Sequence, residues 1–416
     1  MDLLPHLQSA LGLVVFVAIA WVLSENRRAF PWQTVIVGVG LQIVLAALLL
    51  GVPVIRDALY SLNVVVDAIQ AATAKGTGFV FGFVGGGKAP FAVSDPASMT
   101  TLAFTILPIV LVMSALSALL WHWRILPVVV RVFALALERS MKIGGALGVG
   151  CASNIFLGMI EAPLLIRPYL DKLTRSELFT LFACGLANVA GTVLALYAVI
   201  LGPVVPGAIG HILVGSILSL PASILLSKVM IPGDETTPSD AGTGRLYRST
   251  MDAIAKGAED GMQMYLNIIA MLVVMISLVA LANVMLGNFD VWGTPLSFER
   301  IVGWIFAPIA WLIGIPASQA ATAGSLMGTK TILNEFIAYL NLAALPGDAL
   351  DGRSRILMVY ALCGFANLGS VGMMIAGVSA LAPSRRDEIV DLSLKSIIPG
   401  TLATCMTAAV VGLLPL

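Results

Sequence analysis

Residues 184–192 read Cys184-Gly185-Leu186-Ala187-Asn188-Val189-Ala190-Gly191-Thr192, and residues 363–371 read Cys363-Gly364-Phe365-Ala366-Asn367-Leu368-Gly369-Ser370-Val371. Four of the first five positions are identical, and one of the four is an asparagine, a costly residue in an apolar helix. Each segment lies in a long apolar run. Each follows a stretch rich in Gly, Ala, Ser and Asn that carries a glutamate: Glu161 within 143–166 and Glu335 within 317–345. A broken, polar stretch followed by a span with Cys-Gly-x-Ala-Asn therefore occurs twice. Chance likeness between Gly/Ala-rich helices is the competing reading, and the shared asparagine weighs against it.

The rest of the chain supplies the setting. Of 416 residues, 59% are hydrophobic and 11% charged. A soluble domain carries about 25% charge, so the composition points to a polytopic membrane protein, as does a mean hydropathy of +0.98. Zero net charge excludes a basic nucleic-acid binder. Four cysteines in apolar stretches read as small buried hydrophobes, and three scattered histidines signal no metal cluster. The N-terminus lacks a basic region and a small-residue cleavage site, so the first apolar run reads as a retained span.

A span needs about 20 apolar residues. Runs at 8–23, 34–53, 100–121, 178–202, 205–227, 264–287, 356–382 and 389–414 meet this, giving eight expected transmembrane helices. The stretches 143–166 and 317–345 are too polar and broken for simple spans, and irregular backbone at membrane depth is tolerated only against a protein cavity. They are expected as re-entrant helical hairpins. With the chain starting outside, 16 of the 23 Lys and Arg residues then fall inside, as the positive-inside rule requires. The hairpins enter from opposite sides, which makes an inverted repeat with a site near the midplane. The expected organisation is 1–123, N-terminal scaffold spans; 124–142, an interfacial helix; 143–230, the first repeat; 231–262, a cytoplasmic linker with a short helix; 263–316, a scaffold span and an extracellular interfacial helix; and 317–416, the second repeat. The expected fold class is an all-α polytopic membrane protein, multi-pass in the cell (inner) membrane with both termini extracytoplasmic.

Chemistry is expected where polar residues interrupt apolar sequence. Gly158 and Pro163 flank a point where helical hydrogen bonding lapses; freed carbonyls there suit a cation, and freed N–H groups suit a substrate oxygen. Glu161 and Glu335, facing one cavity, suit a neutral polyhydroxylated solute, because a carboxylate accepts strong hydrogen bonds from vicinal hydroxyls. Asn367 and Ser370 donate and accept, and their spacing of three puts them on one helical face. The bland alternatives are an ion pair between Glu335 and Lys330 and a helix-capping role for Glu161. The run Gly82-Phe83-Val84-Gly85-Gly86-Gly87-Lys88 nears a phosphate loop, but Ala89 stands where magnesium needs a hydroxyl. Met373 and Met374 read as packing or lipid-facing residues. A membrane-embedded enzyme would need a nucleophile, metal or acid pair that the sequence does not present, and a channel would want a continuous polar pore.

At the Gly158-to-Pro163 hairpin, Asn334-Glu335-Phe336 and Gly364-Phe365-Ala366-Asn367, the sequence resembles the concentrative nucleoside transporter family, over nearly the whole chain. The resemblance implies a homotrimer, a scaffold and a mobile transport subdomain, and cation-driven nucleoside uptake by an elevator-like movement without a cofactor. It implies that Glu335, Asn367 and Ser370 hold ribose beside Phe365. By the same resemblance Gly158, Met159, Ile160, Glu161 and Val193 face the base, and Asn154, Leu157, Asn188 and Val189 build a sodium site. Two departures stand out. Met159-Ile160 replaces the usual Gln-Thr, which puts pyrimidine recognition in doubt, and Asn188 replaces a common serine. Neutral oxygens at Asn154 and Asn188 favour sodium; the alternative is proton coupling, with a different ribose-bearing or polyhydroxylated solute.

Overall fold

The computed structural model describes residues 3–95, 99–233, 236–237, 246–291 and 293–415. Part of the expected linker, 234–235 and 238–245, lies outside the described residues. Helices α1 (Leu3–Val22) and α2 (Trp32–Gly51) match the first two expected spans. Helix α3 (Pro53–Phe81) was not expected. Pro53 starts it in the first turn, where the N–H has no helical partner to lose, and Arg56, Asp57, Asp67 and Lys75 keep it below the apolar threshold. The glycine run after it is a short 3-10 turn, Gly82–Gly85, and among the described residues there is no parallel sheet. Helices α4 (Ile109–His122) and α5 (Ile125–Met141) follow.

The first polar stretch is a broken hairpin: α6 (Gly145–Ser153), an irregular loop, α7 (Glu161–Leu165) and α8 (Arg167–Leu170). The run 178–202, expected as one span, is two helices, α9 (Arg175–Ala187) and α10 (Gly191–Leu201), separated at the repeated asparagine. Thr174 and Glu177 form a capping box that fixes the start of α9. Helix α11 (Ala208–Met230) is buried nearly all round and packs against α2, α9 and α18 (Arg386–Gly412). These helices are the centre of the molecule.

Helix α12 (Thr250–Leu286) has 37 residues, about 55 Å at 1.5 Å per residue. Residues 250–262, expected within a linker, are thus the opening turns of this span, capped by Ser249 accepting from the Asp252 N–H at 3.1 Å. Helix α12 packs against α4 through Gly257 and Gly261 and otherwise exposes Val273, Val274, Ile276, Leu281 and Val284. A two-stranded turn, β1 (Asp290–Val291) and β2 (Thr294–Pro295), leads to α13 (Phe298–Leu312). Helices α13 and α14 (Ala317–Ile332) are bent by 118° across a turn containing Gly314 at φ +106°. Then come α15 (Glu335–Ala344), α16 (Gly352–Leu362) and α17 (Leu368–Leu381). The run 356–382, also expected as one span, is broken at 363–367. The chain is an all-helical multi-pass membrane protein; among the described residues seven helical segments are long and apolar enough to cross, with the broken Arg175–Leu201 counted as one, or eight with the bent α13–α14 pair as a further span.

The α13–α14 crossing is close because Gly324 lies on Gly303: a Cβ at 324 would sit 2.5 Å from the Gly303 carbonyl oxygen and 2.7 Å from the Ala307 nitrogen. Backbone cannot give way as a side chain does, and overpacking costs about 1–3 kcal/mol or more. Gly324→Val should therefore lower the unfolding temperature in detergent. Gly40→Ala, with nothing within 4 Å of its Cβ position, should leave it unchanged.

Candidate functional site

The two Cys-Gly-x-Ala-Asn segments are the two helix breaks, and they cross. The Phe365 N–H donates to the Asn188 carbonyl at 3.2 Å. Only glycine fits at 364, where a Cβ would lie 2.9 Å from the Leu186 oxygen. The loop of the first hairpin joins them: the Gly191 N–H, at the start of α10, donates to the Phe156 carbonyl at 3.2 Å. The second hairpin breaks at Leu333–Asn334. There Asn334 caps α15 by accepting from the Ile337 N–H at 2.9 Å.

Glu335 opens α15 and is 5% exposed. The Tyr197 hydroxyl donates to its Oε1 at 2.7 Å, and Asn367 Nδ2 donates to its Oε2 at 3.0 Å. Asn367 is itself the N-cap of α17, its Oδ1 accepting from the Ser370 N–H at 2.7 Å. Asn367 and Ser370, expected on one helical face, are instead cap and capped residue. The structure brings Glu335, Asn367 and Ser370 together, with Phe365 half-buried nearby on the same break. The alternative ion pair with Lys330 is absent: Lys330 Nζ donates to the Ala361 carbonyl and the Thr404 hydroxyl, each at 2.8 Å. Tyr197 went unnoticed in the sequence because a tyrosine in an apolar run is unremarkable.

The other break holds a matched pair of amides. Asn154 Nδ2 donates to the Gly150 carbonyl at 3.0 Å, and Asn188 Nδ2 donates to the Cys184 carbonyl at 2.9 Å. Both bonds run four residues back and fix which end of each amide is oxygen. Asn154 Oδ1 and Asn188 Oδ1 are then buried acceptors with no hydrogen-bond partner. An orphaned buried acceptor costs about 1–3 kcal/mol, so two of them near one hairpin fit a small cation. Leu157 is half-buried and Val189 buried in the same loop and break. No cluster of three His, Cys, Asp or Glu side chains exists among the described residues.

The residues facing the expected base side are placed differently from one another. Met159 is buried, and a side chain at Gly185 would meet its Cβ at 3.0 Å. Ile160 lies against Gly377 of α17, and Val193 is buried on α10. Glu161 is exposed, its carboxylate curled over Gly158. The two hairpin glutamates therefore differ: one is buried and held by side-chain donors, the other is more exposed and lies over the hairpin backbone at Gly158.

Three family models tile the chain: "Na+ dependent nucleoside transporter N-terminus" at residues 11–84, "Nucleoside recognition" at 103–204 and "Na+ dependent nucleoside transporter C-terminus" at 211–412. The nucleoside permease NupC of Helicobacter pylori is 36% identical over 97% of both chains. The chain belongs to the concentrative nucleoside transporter family. An uncharacterized transporter of Haemophilus influenzae is 37% identical over 98% of this chain and 97% of its own. Among solved structures, CNTnw in an inward-facing substrate-bound state superposes with a TM-score of 0.88 at 34% identity, covering 98% of this chain and 97% of that one. An outward-facing CNTnw variant matches with a TM-score of 0.88 at 32% identity, over 99% and 98%. The protein is thus a membrane transporter of a family that alternates between inward- and outward-facing states, and not an enzyme.

The donors on Glu335 generate a prediction. Tyr197→Phe removes one hydrogen bond to a charged group, worth about 1.5–3 kcal/mol, and leaves the packing of the ring. Nucleoside KM in proteoliposome uptake should rise roughly tenfold or more, with the amount of folded transporter unchanged.

Proposed function

We propose that this transporter imports nucleosides with sodium, holding ribose at Glu335, Asn367 and Ser370 and the ion between Asn154 and Asn188. The buried Glu335 carboxylate carries the reading. Its two oxygens are each tied to one neutral donor, Tyr197 and Asn367. A carboxylate has about four acceptor positions, so capacity remains for the vicinal hydroxyls of a ribose. Ser370, capped in place by Asn367, adds a hydroxyl that donates or accepts. Phe365 supplies an aromatic wall. Gly158, Met159, Ile160, Glu161 and Val193 form the base side.

The ion completes the hairpin of the first repeat. Sodium takes the amide oxygens of Asn154 and Asn188, with carbonyls around Leu157 and Val189 as further ligands. One cation crossing 100 mV supplies about 2.3 kcal/mol, enough for roughly 50-fold accumulation at 1.4 kcal/mol per decade. The α4–α12 pair, tightly packed at Gly257 and Gly261, serves as scaffold, and the hairpins with the broken spans move past it in an elevator-like step. A side-chain hydrogen bond from α10 to α12 is soft: Thr192 Oγ1 donates to the Met264 sulfur at 3.7 Å. The exposed apolar face of α12 supports assembly as a homotrimer. The excess of basic residues on one side supports an inner-membrane topology with both termini outside.

Uptake of radiolabelled nucleosides into proteoliposomes under separate sodium and proton gradients tests this. A sodium gradient should drive uptake, Glu335→Gln should lose most of it while still assembling, and a 2′,3′-dideoxynucleoside should be a poor substrate. Uptake that ignores sodium and stops with a protonophore would overturn the ion. A dideoxy analogue bound as well as its parent would overturn the ribose role.

Base recognition follows from the apolar pair. Met159 and Ile160 cannot hydrogen-bond a base edge, and a site without such contacts discriminates weakly. The double substitution Met159→Gln with Ile160→Thr should tighten uridine by ~1–2 kcal/mol, the net worth of one or two hydrogen bonds. Competition between uridine and adenosine reads this out; an unchanged ranking, with uridine already bound tightly by the wild type, means other residues read the base.

A further inference from the structure

Lys330 is 1% exposed. It lies in the last turn of α14, deep in an apolar interior where an amine is costly and therefore calls for a function. Its partners are two neutral oxygens. The Ala361 carbonyl belongs to the last turn of α16, where the helix leaves its final carbonyls without partners and its dipole is negative. The Thr404 hydroxyl belongs to α18. Five residues after Lys330 comes Glu335; six residues after Ala361 comes Asn367. The Asn367–Glu335 hydrogen bond at 3.0 Å and the Lys330–Ala361 hydrogen bond at 2.8 Å close a ring of two short chain segments. The tip of the second hairpin and the break of the following span are held to each other at both ends of that ring.

We propose that Lys330 is a positioning residue for the ribose site: by tying the last turn of α14 to the freed carbonyl of Ala361 and to Thr404, it sets the distance between Glu335 and Asn367. The inference rests on the ribose reading above and deepens it. It also explains a difference between the repeats. At the first break, the ends of α6 and α9 present two amide oxygens without partners, Asn154 Oδ1 and Asn188 Oδ1. At the second, the end of α14 supplies its own tethered nitrogen to the end of α16. One break is left open to an ion that comes and goes; at the other, the amide oxygens of Asn334 and Asn367 are taken by backbone N–H groups and Lys330 covers a freed carbonyl.

Lys330→Met keeps the volume of the stem and deletes both hydrogen bonds. The test is uptake in proteoliposomes, normalised to folded transporter, with a nucleoside and its 2′,3′-dideoxy analogue in competition. Wild-type uptake and its preference for the ribonucleoside test the ribose reading itself and are established first. In Lys330→Met, nucleoside KM should rise tenfold or more with the maximal rate within about twofold. The preference for ribose over dideoxyribose should collapse to within about threefold. A role limited to packing would lower the amount of folded protein and leave KM and the sugar preference of the remainder alone; that result overturns the proposal. If Lys330→Met does not assemble, Thr404→Val decides, since it removes one acceptor and preserves volume. A threefold or greater loss of sugar preference supports the proposal, and an unchanged KM with unchanged preference overturns it.

Discussion

A backbone group that loses its helical partner in an apolar interior must find another, because no water is there to replace it. Residues 188–190 and 363–367 free such groups at two crossing points, and most of the polar detail of the molecule answers that demand. The Asn188 carbonyl takes the Phe365 N–H, and the Phe156 carbonyl takes the Gly191 N–H. Asn334 and Asn367 cap the helices that restart after each break. Lys330 covers the Ala361 carbonyl. At the first break two amide oxygens, of Asn154 and Asn188, are left without a partner, and at the second Glu335 keeps outer acceptor positions. Under the proposed function, a small cation and a hydroxylated solute complete this set.

Three glutamates show how partner count separates structure from function. Glu177 is fully buried and accepts from the Thr174 N–H, the Thr237 N–H and the Thr237 hydroxyl at 2.7–3.0 Å. Nearly all its capacity is used, and it fastens the start of α9 to the segment after α11. Glu335 is as deeply placed but has one donor on each oxygen, so it can still accept. Glu161 is an exposed residue whose carboxylate folds over the hairpin backbone at Gly158. Burial alone would rank the first two together; the hydrogen-bond inventory distinguishes them.

The site was legible in the sequence where a residue type clashed with its surroundings. Asn188, Asn367, Glu161 and Glu335 are polar interruptions of apolar sequence, and the duplicated Cys-Gly-x-Ala-Asn segment paired them into a repeat. Tyr197 gave no such clash, although it makes the shortest bond to Glu335. The breaks inside 178–202 and 356–382 were hidden because hydropathy averages over a window and records no hydrogen bonding. Helix α3 escaped because its four charges masked an amphipathic pattern, and the opening of α12 escaped because its polar turns resemble a linker. Lys330 misled for a geometric reason. An ion pair with Glu335 presumes one continuous helix, whereas the chain turns at Leu333–Asn334 between them.

Asn188 occupies a position that links the two halves of the site under the proposed assignment. Its side-chain oxygen is a candidate ion ligand, and its backbone oxygen accepts from Phe365, two residues before Asn367. A cation that fixes the Asn188 side chain restricts the residue whose carbonyl anchors the second break, and hence the placement of Phe365 and Asn367 around the ribose. Coupling between two binding events is reciprocal: a factor gained by the nucleoside when the ion is bound is gained equally by the ion when the nucleoside is bound. A transporter that must avoid moving one without the other needs such a link, and a shared residue at a crossing of two broken helices supplies it over a single hydrogen bond. The second repeat differs, because the amide oxygens of Asn334 and Asn367 already accept from the Ile337 and Ser370 N–H groups. Under the proposed assignment, ion dependence enters through the first repeat and reaches the sugar through the crossing.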